Sequence, residues 1–213
     1  MNWLTDVMRQ GMDLFYSWTG SYGVAIILLT LVVRIVLFPF TISQIRMTRR
    51  MQELQPRLKE LQEKYKKDPQ RLNRETVELW RRHKVNPLSG CLPALLQFPF
   101  LIALFRLLQG YHYAAGAAGF LWLADLSQPD RVLILPLLAA VTTWWQSKIS
   151  TPGAVEGSQR FLMLAMPIFL GWMASRFAAG LSLYWVASNL LSIAQQYLMA
   201  PPVRARPARG ETK

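Results

Sequence analysis

The chain has 213 residues, 52% of them hydrophobic, with 24 basic against 12 acidic residues and a formal net charge of +12. Its apolar residues gather in long runs and its charges in one dense block, which excludes an ordinary soluble domain and predicts an all-α, multi-pass membrane protein. With Cys91 alone and two histidines, the sequence offers neither a disulfide framework nor a metal-ligand cluster, and it calls for no cofactor.

Residues 1–18 place Trp3, Leu4, Val7, Met8, Met12, Phe15 and Tyr16 at spacings of one, three and four. This predicts an amphipathic helix lying in the membrane interface. The segment has no basic start followed by an apolar core and a small-residue cleavage site, so no cleavable signal is read there.

Residues 22–42 (YGVAIILLTLVVRIVLFPFTI) form an apolar run of bilayer-spanning length with Arg34 near its middle. An arginine at that depth costs from about 3 to more than 10 kcal/mol unless it faces a polar cavity. It lies too far from either end of the run to reach an interface at about 1.5 Å per residue. Thr30 and Thr41 fall on roughly the same helical side and suggest a polar stripe.

Residues 43–88 hold thirteen basic and six acidic side chains. Met47, Met51, Leu54, Leu58, Leu61 and Tyr65 alternate at four and three, a seam along one helix. Lys67-Asp68-Pro69 breaks it, and Leu72, Thr76, Leu79 and His83 predict a second helix returning. The block is therefore expected to be a helical hairpin outside the bilayer.

Four more spans are expected at 89–109, 132–147, 161–175 and 179–199, giving five, followed by a basic tail at 200–213. The third and fourth are short, which suggests local bilayer thinning. Pro39, Pro93, Pro99, Pro136 and Pro167 put a proline in each of the first four, tolerated where neighbours or water satisfy the freed carbonyls. The hairpin, Lys148, Arg160 and the tail all fall on one side. By the positive-inside rule that side is cytoplasmic, the N-terminus is outside, and the chain resides in a cell membrane.

Intramembrane catalysis would need a nucleophile with a base, paired aspartates or a metal motif at membrane depth. His83, His112 and all acidic residues fall outside the expected spans. What remains at depth is uncharged: Gln97 on the second span, Thr142, Thr143 and Gln146 on the third, and Trp185, Ser188, Asn189, Ser192 and Gln196 along one side of the fifth. Such groups serve either as interhelical glue or as the lining of a hydrated cavity. Glue alone leaves Arg34 without a counter-charge.

Residues 86–105 (NPLSGCLPALLQFPFLIALF), 120–130 (FLWLADLSQPD) and 177–196 (FAAGLSLYWVASNLLSIAQQ), with the first-span arginine and the basic hairpin, resemble the YidC/Oxa/Alb membrane-protein insertases. The resemblance runs from about residue 15 to 200; Ala178 stands where that family often has proline. Without a large extracytoplasmic domain, an additional N-terminal span or a lipoprotein-type cysteine near Met1, the chain reads as a minimal five-span version.

The resemblance implies a substrate groove open to cytoplasm and lipid but closed to the outside. Arg34 would be at its centre, Gln146 and Trp185 would be lining partners, and spans two and four would form an apolar slide. The full expected lining is Arg34, Gln97, Gln146, Trp185, Ser188, Asn189 and Ser192. The implied function is non-enzymatic insertion and folding of small membrane proteins. Nascent membrane proteins are the implied partners; the ribosome, the signal recognition system, the Sec translocon and anionic lipid are further candidates. A passive scaffold for membrane complexes and a small-molecule channel or carrier are the alternatives.

Overall fold

The structure, a computed structural model, describes residues 2–85, 92–109, 111, 118–150 and 158–199. The expected tail at 200–213, His112 and the start of the expected second span lie outside the described residues. Within them run eight helices: α1 (Asn2–Thr19), α2 (Tyr22–Val36), α3 (Phe38–Lys64), α4 (Pro69–Arg82), α5 (Leu92–Gln109), α6 (Ile134–Ser150), α7 (Ser158–Ala174) and α8 (Ala179–Met199).

Helix α1 buries Met8 and Met12 and leaves Trp3, Val7 and Trp18 exposed. It packs on α2 and α5, and close approach is set by Gly11, where an added Cβ would stand 3.2 Å from a Leu29 methyl. It ends where Gly20 takes φ +65° and its N–H donates to Tyr16 O at 2.8 Å. This is a left-handed cap that glycine adopts without strain.

The expected span at 22–42 is not one helix. It breaks at Leu37, where α2 and α3 meet at 67°. Pro39 stands at the start of α3; it has no N–H to donate to Ile35 O, and in a straight helix its ring would crowd that carbonyl. Thr41 therefore lies on a different helix from Arg34 and donates to Leu37 O, while Thr30 donates to Ile26 O. The stripe read from Thr30, Arg34 and Thr41 is corrected accordingly: both threonines bond back onto their own helices. Among the described residues no single helix is long and apolar enough to cross a membrane; the bent α2–α3 pair passes on length and composition.

Helices α3 and α4 pack as a hairpin. Asp68 accepts from the Arg71 backbone N–H at 3.0 Å and Pro69 opens α4, a side-chain cap followed by a residue with no N–H to leave unsatisfied. Leu54 and Val85 are buried, and His83 hydrogen-bonds to Leu79 O and to Arg57.

The core lies among α1, α2, α5, α6 and α8, with Met12, Ile26, Leu104, Leu107, Leu126 and Leu135 fully enclosed. Helix α7 packs mainly on α6 and turns Phe161, Leu164, Ile168, Phe169 and Trp172 outward.

The connection 118–133 closes the bundle end opposite the hairpin. Phe120 and Leu123 exchange backbone hydrogen bonds, and the carbonyls of Gln128 and Leu126 accept from Ala179 and Gly180 at the start of α8. Asp130 is buried and accepts from the N–H groups of Val132, just before α6, and Leu135, in its first turn, at 3.0 and 2.8 Å.

Candidate functional site

Arg34 leaves α2 within its last turn and reaches α8, where Nη2 donates to Ser188 O at 2.9 Å and Ser188 Oγ at 2.7 Å. Its Nε is buried with no partner among the described residues. The one ion pair among them, Arg82–Glu78, is exposed on the hairpin. The guanidinium is thus held by a hydroxyl and a backbone carbonyl, which accept hydrogen bonds but carry no neutralising charge.

Two adjoining polar strips run along α8 because it is wedged between α2 and α6. Tyr184, Ser188 and Ser192 recur every four residues on the first. Ser188 takes Arg34, Ser192 Oγ donates back to Ser188 O at 3.0 Å, and the Tyr184 hydroxyl accepts from Gln97 of α5. All three α8 residues are buried.

Trp185, Asn189 and Gln196 make the second strip. Trp185 Nε1 donates to Thr143 Oγ1 at 3.1 Å, and the Asn189 amide hydrogen-bonds with the hydroxyls of Thr143 and Thr142 at 2.9 and 3.1 Å. Further toward the hairpin, Gln196 and Gln146 both donate to Ser150 Oγ, at 2.8 and 3.2 Å. Gln146 Oε1 is buried and has no partner among the described residues.

The structure thus joins Arg34, Ser188 and Ser192 directly. It sets Gln97 beside them through Tyr184 and places Trp185, Asn189 and Gln146 along the α6 side. Tyr184, Thr142, Thr143 and Ser150 complete the network. The threonines were legible as polar residues of an expected span, but their pairing with α8 was not. Tyr184 lies four residues before Ser188, and that spacing was the available signal.

An apolar cavity of about 210 Å³ opens between α5, α7 and α8, lined by Leu101, Phe105, Leu170, Met173, Phe177 and Leu181 among others. Trp185 borders both this cavity and the polar network, so the uncharged polar interior and the greasy cleft share one wall.

Residues 14–205 match the family described as 60Kd inner membrane protein. The chain is 43% identical over 191 residues to the membrane protein insertase YidC of Caldanaerobacter subterraneus subsp. tengcongensis, covering 90% of this chain and 91% of that one. It is 38% identical over 194 residues to the membrane protein insertase YidC of Geobacter sulfurreducens, covering 91% of this chain but 36% of the relative. A crystal structure of active YidC insertase with its first transmembrane domain resolved superposes with a TM-score of 0.76 at 25% identity, over 92% of this chain and 46% of that chain. The fold, the match along nearly the whole length and the agreement with a relative of the same size place this chain in the 60Kd inner membrane protein family, together with the bacterial YidC proteins.

Proposed function

We propose that this protein inserts and folds small membrane proteins; the relatives it matches are named membrane protein insertases. The observation that carries the reading is Arg34: a buried-side guanidinium bonded only to Ser188, with no carboxylate in reach among the described residues. A charge so placed is free to attract an acidic or polar segment that must cross the bilayer. Ser188, Ser192, Gln97 and Gln146 supply uncharged polar lining, and Trp185 and Asn189 fasten α8 to α6 as one wall.

In this reading the five spans are α2 with the start of α3, then α5, α6, α7 and α8. The hairpin faces the cytoplasm and α1 lies in the outer interface. Helices α6 and α7 have 17 residues each, about 26 Å of rise, against a hydrocarbon thickness of about 30 Å. This favours a locally thinned bilayer. The segment's translocated end is drawn to Arg34 while its apolar part leaves along the cleft between α5 and α7. Partitioning into lipid drives the step at about 0.8 kcal/mol per buried CH₂. Nascent membrane proteins are the substrates. Targeting factors are proposed partners of the basic hairpin, the ribosome or anionic lipid of the basic tail at 200–213, and a Sec translocon of the whole chain.

The test is insertion into vesicles of a single-span substrate with an acidic translocated tail. Arg34→Ala should lower it about 10- to 100-fold, the range that losing a hydrogen bond to a charge implies, and Arg34→Lys should retain most of it. A scaffold would survive Arg34→Ala, and a channel or carrier would instead give ligand-dependent flux. Equal insertion by the wild type and Arg34→Ala would sink the charge-attraction step.

A further inference from the structure

A second arginine reaches α8. Arg49, on α3, is half-buried and donates through Nη2 to Met199 O, the last residue of that helix, at 2.6 Å. Its Nε is buried without a partner among the described residues, as that of Arg34 is. Beside it Gln52 of α3 donates to Ile149 O of α6 at 3.4 Å, so α3 spans the ends of both α6 and α8. Arg34 and Arg49 therefore grip the same helix at Ser188 and Met199, eleven residues apart, or about 16 Å along its axis. Between the two levels lie Ser150 with its two glutamine donors, and the orphaned Gln146 Oε1. These groups are uncharged.

We propose that Arg49 is a specificity-determining residue of the insertion reaction. It is the cation at the hairpin-side mouth that meets the acidic residue of an incoming segment before that residue reaches Arg34. The proposal rests on the insertase reading and extends it from one charge to an ordered pair. A carboxylate arriving at the mouth finds an arginine that is bonded, among the described residues, to one backbone carbonyl. Exchanging that carbonyl for a carboxylate strengthens the hydrogen bond, because both partners are then charged. The amide N–H groups of Gln146 and Gln196 and the Ser150 hydroxyl beyond it donate to the carboxylate without holding it, and the stronger of the two sites need not be the deeper one for transfer to occur. The Arg49–Met199 bond also favours a cation at a helix C-terminus, so a purely structural role is the competing account.

The experiment uses the full chain in vesicles and two substrates that differ only by aspartate or asparagine in the translocated tail. Arg49→Gln should reduce insertion of the aspartate substrate about tenfold, equivalent to about 1.4 kcal/mol, and leave the asparagine substrate unchanged; Arg49→Lys should restore the aspartate substrate. Equal losses for both substrates would assign Arg49 to capping α8 alone, and no loss for either would remove it from the path; each overturns the proposal. Arg34→Ala run in parallel reports the underlying reading separately. If it spares the aspartate substrate while Arg49→Gln does not, the deep site fails and the mouth stands. The reverse result removes Arg49 and keeps Arg34.

Discussion

The two ends of the helical bundle are built on opposite principles. At the loop end, residues 118–133 meet the start of α8 through backbone hydrogen bonds, and Leu123 and Leu126 are buried beneath them. Asp130 is enclosed and serves the donors of α6. At the hairpin end α3 is tied to α6 and α8 by long side chains, Gln52 and Arg49, and two polar atoms nearby are buried without partners among the described residues. Buried polar groups are normally paired, because an unpaired one costs about 1–3 kcal/mol. One end is closed by paired backbone, and the other holds buried polar atoms that are unpaired among the described residues, the arrangement that the proposed entry of a polar guest at that end calls for.

The comparison breaks most sharply if the seal is opened. Asp130→Ala removes a carboxylate that accepts from two backbone N–H groups and lies 3.4 Å from Trp122 Nε1. Those donors would be left unsatisfied beside the buried Leu135. The expected loss is about 3 kcal/mol of stability, read by denaturant titration in detergent, with new proteolytic sensitivity in the 118–133 connection. Unchanged stability would mean that the carboxylate contributes nothing to closing this end.

A smaller breach is available at Gly23, on the first turn of α2. A Cβ there would fall 2.1 Å from the Phe120 ring, so the ring must move. Gly23→Ala should cost about 2 kcal/mol, within the range for overpacking. Phe120→Leu alone should also destabilise, yet the double variant should be less impaired than the two losses added. That non-additivity in a double-mutant cycle is the signature of direct contact, and simple additivity would argue against the packing described here.

Much of this was legible because it depends on local chemistry. The hairpin break follows from Asp68-Pro69, and the burial of Met8 and Met12 on one side of α1 from their four-residue spacing. The bend at Leu37 was written in Pro39 but hidden by the uninterrupted hydropathy of residues 22–42, since composition measures greasiness and not direction. The polar network was legible as an inventory of polar residues within the expected spans. Its partition was not, because whether α8 shows a given residue to α2 or to α6 depends on how three helices are arranged about it. Arg49 escaped notice for a different reason. Inside a block of thirteen basic residues nothing local marks the one that turns inward.

Asn189 tests that partition with the smallest expected effect. Its amide bonds to the threonine pair of α6, whereas Ser188, one residue earlier, holds Arg34. A polar contact between membrane helices is worth about 0.6 kcal/mol on average. Asn189→Ala should therefore lower stability by about that amount and reduce insertion of acidic and neutral substrates alike, if at all. Ser188→Ala should instead act on the acidic substrate, because it removes the hydroxyl that orients the guanidinium. If Asn189→Ala proved as selective for the acidic substrate as Ser188→Ala, the two strips on α8 would act as one surface. The amide would then belong to the polar guest's path and not to the wall behind it.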